Sequence, residues 1–224
     1  MENKIFLNNH TYKQILIKTH LIGFGEDLLS LIQRYVLPNL KKGDWVAISE
    51  KVVSVCQNNV RHISTVKAGI LARTIVKGVK KVPNGVGYSR PEKMQVAVET
   101  SGRLRIILAT IIGGITKIFG IHGLFWIVAG KRVSEIDGFS PAAMYPYNEY
   151  AVLPPKEPEK IVQKIEDKLG CPAAIIDGNN INVKVIALSR KVPVSRKVCR
   201  LVLLNNPMGQ DDELMPFVIV RQEK

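Results

Sequence analysis

Apolar residues recur at helical spacing over residues 26–40, where Leu28, Leu29, Ile32, Tyr35 and Val36 fall at i, i+3/i+4 and i+7/i+8. That predicts an amphipathic helix whose last turn is upset by Pro38. Lys-Lys-Gly-Asp at 41–44 predicts a turn, and the run WVAI at 45–48 a buried strand. A second helix is expected over 66–76, with Gly78 as its stop, and a loop or hairpin tip over 82–91. The clearest helix covers 159–169, with Ile161, Val162, Ile165 and Leu169 on one stripe and Gly170 after it. Residues 172–177, 182–188, 198–204 and 216–221 read as strands. The mixed order of helices and strands predicts an α+β fold, mixed sheets with flanking helices, in a single domain over 1–224. The proline-rich connection AVLPPKEP at 151–158 is the candidate hinge.

Residues 106–130, IILATIIGGITKIFGIHGLFWIVAG, are long enough to span a bilayer, which takes about 20 residues. Lys117 and His122 sit near the middle, and a charge at mid-bilayer costs on the order of 3 kcal/mol. The expectation is therefore buried strands and a short helix joined by glycine turns, with no membrane partner.

Charge adds a preference for anionic partners. The 224 residues hold 32 Lys and Arg against 19 Asp and Glu, a net +13. No acid occurs between Lys51 and Pro91, where eight basic residues lie. That stretch reads either as a surface facing polyphosphate or as a solvated basic face. Few aromatics accompany it, which argues against a base-stacking platform for nucleic acid. The three cysteines have no metal-binding spacing, and the N-terminal residues lack the apolar core of a signal peptide. A cytoplasmic setting is the expectation.

Candidate chemistry comes from acids that end or follow apolar runs: Asp137 in SEIDGF, Asp177 in AAIIDGNN, and the segment NNPMGQDDELMP at 205–216. Carboxylates at strand ends suit a hard divalent cation that also binds phosphate oxygens. Asp-Gly pairs are equally ordinary turn dipeptides. The four histidines lie in no recognisable motif, and no Ser/His/Asp arrangement is readable.

Four segments resemble one family in its own order. They are LIGFGEDL at 21–28, GDWVAISEKVVS at 43–54, AIIDG at 174–178, and MGQDDELMP at 208–216 with VIVR behind it at 218–221. Together they are similar to the coenzyme F420-0:L-glutamate ligases, GTP-dependent gamma-glutamyl ligases. The resemblance implies a homodimeric α+β protein that activates an acceptor carboxylate with GTP and joins it to L-glutamate. It implies Mg²⁺ or Mn²⁺ on Asp137, Asp177 and Gln210. It implies nucleotide binding by Leu21, Ile22, Glu50, Lys51, Ser140, Met208, Gly209, Gln210, Asp211, Asp212, Glu213 and Pro216. The chain departs from the family pattern at Gly23, Val55, Gln57 and Gly178, where the pattern has lysine, lysine, glutamate and a hydroxyl residue. Two other readings follow: a catalytically degenerate nucleotide- or deazaflavin-binding module, and nucleic-acid binding through the basic stretch.

Overall fold

A computed structural model describes residues 2–79, 89–139, 143–178, 182–209 and 213–223. The chain opens with β1 (Glu2–Leu7), β2 (His10–Ile17), α1 (Leu28–Tyr35), β3 (Trp45–Ser49) and α2 (Glu50–Cys56). Then come β4 (Val60–His62), α3 (Ile70–Lys77), α4 (Pro91–Ser101), α5 (Arg103–Ile118), α6 (Leu124–Ala129), α7 (Lys131–Ser134), β5 (Asp137–Gly138) and β6 (Tyr150–Val152). Last are α8 (Pro158–Leu169), β7 (Ala173–Gly178), β8 (Val183–Leu188), α9 (Arg196–Val202) and β9 (Phe217–Glu223). The α+β content agrees with the expected fold class.

Two compact units make up the chain, one from residues 1–59 with 155–224 and the other from 60–154. The second boundary falls inside the proline-rich connection.

The first unit is built on a six-stranded mixed sheet, ordered β1-β2-β9-β3-β7-β8. Its opening hairpin turns on Asn8 and Asn9, both at positive φ, which matches the twist of the flanking strands. β3 runs parallel to β7 and antiparallel to β9. Its continuous apolar run follows from burial on both faces. Trp45 and Ala47 join Ala174, Ile176, Val218 and Val220 in a core cluster with Cys199 and Val202 of α9. Val46 and Ile48, which alternate with them, are fully buried as well.

Helix α1 starts where Asp27 accepts a hydrogen bond from Ser30 N at 2.9 Å, and ends at Tyr35, short of the expected residue 40. Pro38 sits instead in a 3-10 turn, Leu37–Asn39, because its ring would clash with the carbonyl four residues back. The expected strand over 198–204 is helix α9. Ser195 caps it, and Cys199, Val202 and Leu203 bury one helical face. A short apolar run has no period long enough to separate the two.

In the second unit, a three-stranded sheet ordered β4-β6-β5 accompanies helices α3 to α7 around Ala72, Met94, Ala97, Ile106, Val133 and Phe139. The segment 106–130 is helical, which corrects the expected strands. Gly113 lies inside α5 because α6 packs there. A Cβ on Gly113 would come within 2.9 Å of Phe125 Cβ. Among the described residues, no helix is long and apolar enough to cross a membrane. The expected helix over 66–76 begins late, at Ile70, after a 3-10 turn over Ile63–Thr65. Pro91 opens α4 rather than ending a loop, and the remainder of the expected 82–91 loop lies largely outside the described residues.

Candidate functional site

The register of the large sheet brings four separate segments to one end. Ile17, the last residue of β2, and Ile48 of β3 both pair with Phe217, the first residue of β9. Ser49 pairs with Ile176 in the parallel β3–β7 ladder, so Glu50, just after β3, and Asp177, one residue before the end of β7, lie at the same end of adjacent strands. Main-chain hydrogen bonds close the cluster. Thr19 N donates to Leu214 O at 2.9 Å, Ser49 N to Pro216 O at 3.0 Å, and Gly25 N to Val55 O at 3.0 Å. The carboxyl ends of parallel strands are where open sheets leave room for ligands. Leu21, Ile22, Glu50, Lys51, Asp177, Met208, Gly209, Glu213 and Pro216 all belong to these segments.

Within this cluster Ile22 and Glu50 are buried, Leu21 and Lys51 reach solvent, and Asp177 is half-buried at the end of β7. Next to Asp177, Gly178 has no room for a side chain: a Cβ there would lie 2.7 Å from Asn206 Oδ1. Asn206 is buried and its amide donates to Gly209 O at 3.2 Å, while Gly209 N donates to Asn206 O at 3.1 Å. The Glu213 carboxylate lies against the backbone of Gly209. The sequence flagged the segment but not Asn206 as the residue that occupies the space of the family's hydroxyl.

The other departures have local causes too. Val55 is buried, where a lysine would bring its charge into the core. Gln57 clasps the backbone of Lys156, donating from Nε2 to its carbonyl at 2.8 Å and accepting from its N–H at 2.7 Å. A carboxylate at 57 has no hydrogen to donate.

His20 precedes Leu21 and was not singled out by any motif. Its Nδ1 lies 2.7 Å from Tyr35 Oη and its Nε2 3.0 Å from Glu26 Oε2. The Gly23 N–H donates to Glu26, and this bond, aided by His20, holds the Glu26 carboxyl below the ordinary carboxylate range against the opposing effect of burial.

Asp137 belongs to the other unit. It lies in β5 opposite Val152, and its Oδ1 accepts from Gly138 N at 2.7 Å. In that unit His62 bridges Ser64 Oγ at 2.6 Å and Glu149 Oε2 at 3.1 Å. The Ser64 N–H also points at His62 Nδ1, so this contact caps the 3-10 turn. Ser140, Gln210, Asp211 and Asp212 lie outside the described residues. Among the described residues, no three His, Cys, Asp or Glu side chains form a metal-sized group.

Burial pushes the thiols of Cys56, Cys171 and Cys199 up to about 12, which removes them as nucleophiles at neutral pH. Of the basic stretch, Arg61 pairs with Glu99 at 3.1 Å and Arg90 donates to Phe139 O at 2.8 Å. Lys67, Arg73 and Lys77 are exposed.

The side chains at the sheet end include oxygen donors of the type a divalent metal takes. The Asp177 carboxylate and the amide oxygen of Asn206 are hard oxygen donors. A comparison with curated proteins gives no match. The sequence model of the F420-0:gamma-glutamyl ligases matches residues 16–176, taking in the last two residues of β2, all of α1, β3 and α2, and all but the last two residues of β7. That family is a family of ligases, and the chain belongs to it.

Proposed function

We propose that this protein is a GTP- and divalent-metal-dependent ligase that forms a gamma-glutamyl amide on an acidic small molecule, such as a precursor of coenzyme F420. The convergence of the four resembling segments on one end of the sheet carries this reading. A carboxylate is a poor electrophile because its charge is delocalised, and conversion to an acyl phosphate removes that obstacle. The acceptor's carboxylate oxygen attacks the γ-phosphorus of GTP, and GDP departs with the bridging oxygen. The nitrogen of L-glutamate then attacks the acyl carbon, phosphate leaves, and a proton passes from nitrogen to solvent.

The chain's own residues bind and orient in this scheme. Lys51 and the segment 208–216 are the proposed phosphate binders, with the Lys51 charge offsetting phosphate charge. Asp137, Asp177 and Gln210 are the proposed metal donors. A bound Mg²⁺ or Mn²⁺ supplies charge neutralisation at the phosphates. Cytoplasmic location and a homodimer belong to the same reading.

Thermal unfolding with GTP, ATP or no nucleotide, with and without Mn²⁺, tests it. Ligand at about 100 times Kd adds about 2.7 kcal/mol to native stability. A GTP shift that requires metal and disappears in Asp177→Asn supports the reading, as does glutamate-dependent GDP release with an acidic acceptor. A shift without any GDP release, whatever the acceptor, favours the degenerate binding module, for which Gly178 and Val55 are the specific observations.

A further inference from the structure

Helices α5 and α6 pack as a pair, and several large apolar side chains on it are exposed among the described residues. Leu108, Ile111, Ile115 and Ile118 lie on one exposed stripe of α5, at steps of three or four residues. Phe119 and Ile121 continue it around the tip, with Ile118 83% and Phe119 75% exposed. Ordinary amphipathic helices expose their polar side. Here the side facing away from the core is apolar too, and the patch is continuous rather than scattered.

The few polar groups of α5 are handled in a way that suits an apolar surrounding. Thr110 Oγ1 donates to Ile106 O at 2.8 Å, and Thr116 Oγ1 to Ile112 O at 2.9 Å. Arg105 Nε donates to Val128 O at 2.7 Å. Hydroxyls turned back onto their own helix need no water.

Charge selects the occupant. Between Glu99 and Glu135 there is no acid, while Arg103, Arg105, Lys117, Lys131 and Arg132 are all basic. Long basic side chains at the edges of an apolar surface keep their charged ends in the headgroup layer. A second copy docking through the same face about a two-fold axis would oppose cation to cation, with no acid in this segment to relieve it. Helix α5 is 16 residues, about 24 Å at 1.5 Å per residue, too short to span a hydrocarbon core of about 30 Å.

We infer that the α5–α6 pair docks onto an anionic lipid surface, with Phe119 and the exposed stripe of α5 entering the headgroup–acyl boundary and the flanking basic residues on the lipid phosphates. This is peripheral docking, distinct from a span, and it stands apart from the ligase reading.

Vesicle co-sedimentation of the full chain tests it, using phosphatidylcholine vesicles with and without phosphatidylglycerol. The expected result is binding that requires phosphatidylglycerol and weakens with salt. In Lys117→Gln/Arg132→Gln the partition coefficient falls about 25-fold, about fivefold for each cation removed. In Ile118→Ser/Phe119→Ser it falls about tenfold or more through loss of apolar insertion. These side chains are exposed, so circular dichroism and the melting temperature stay near wild type. If one variant misfolds, the other reads the same surface. No binding of folded wild-type protein to anionic vesicles overturns the inference. So does a self-association that Ile118→Ser/Phe119→Ser abolishes while vesicle binding persists.

Discussion

Arg221 donates through Nε and Nη2 to the two carboxylate oxygens of Asp44, at 2.9 and 2.7 Å. Both residues belong to segments that carry the family resemblance, yet the pair ties strand β9 to the turn before β3. Asp44 is 2% exposed and also accepts from Lys41 N at 2.8 Å. Arg221 reaches on to Asn39 O at 3.2 Å. One carboxylate thus fixes the 41–44 turn, and one guanidinium fixes that turn to the sheet.

Loss of either partner leaves a poorly compensated charge. Asp44→Asn and Arg221→Gln are each expected to cost about 3 kcal/mol, and the double variant less than the sum. Urea midpoints of the two singles and the double measure this. Any nucleotide-induced thermal shift should survive in the folded variants. Its selective loss would reassign Arg221 to phosphate.

Gly178 and Asn206 compete for one space. Gly178→Ser restores the hydroxyl of the family pattern but drives its Cβ into Asn206 Oδ1, 2.7 Å away in the present backbone. Such overpacking costs about 1–3 kcal/mol. Asn206→Gly clears the space and suits the residue's φ of 45°. The pair Gly178→Ser/Asn206→Gly should therefore be more stable than the sum of the two single effects allows. Strict additivity would mean the two side chains never meet.

Strands β3 and β7 of the large sheet were legible because they are buried apolar runs preceded by turn or helix-stop residues, at 41–44 and at Gly170. The candidate site was legible as segments, through Asp177 and the 208–216 turn. What escaped was relational. Nothing in the sequence around Gly178 announces Asn206, and nothing around Gln57 announces the Lys156 backbone, because those neighbours are set by sheet register and chain return. The 106–130 and 198–204 runs failed differently. Both are apolar on every side or too short to show a period, so glycine and β-branched content pulled the reading to strands, whereas tertiary packing made helices.

Glu26 predicts a pH effect. Its carboxyl is held below the ordinary range by the Gly23 N–H, with His20 adding to the effect. The ionised form is therefore favoured by folding. Its contribution is fully present above the unfolded value of about 4.3 and is lost as pH falls through the lower folded value. Denaturant midpoints from pH 6 to pH 3 should decline more steeply in wild type than in Glu26→Gln. Parallel curves would show that the Gly23 contact does not persist in solution.

The neighbouring glycines of α5 give an internal contrast. At Gly113 a Cβ would sit 2.9 Å from Phe125 Cβ and 3.3 Å from its Cα, so even alanine forces α6 away. Gly113→Ala is expected to cost about 1–3 kcal/mol. At Gly114 nothing lies within 4 Å of the same position. Alanine there removes backbone freedom from the unfolded chain and adds no clash, so Gly114→Ala should stabilise by about 0.5–1 kcal/mol. The two substitutions are chemically identical and adjacent, so composition and helix propensity predict the same sign for both. Only the α5–α6 contact separates them. Opposite shifts in thermal midpoint support helices in tight contact at Gly113, and equal stabilisation at both positions rejects that packing.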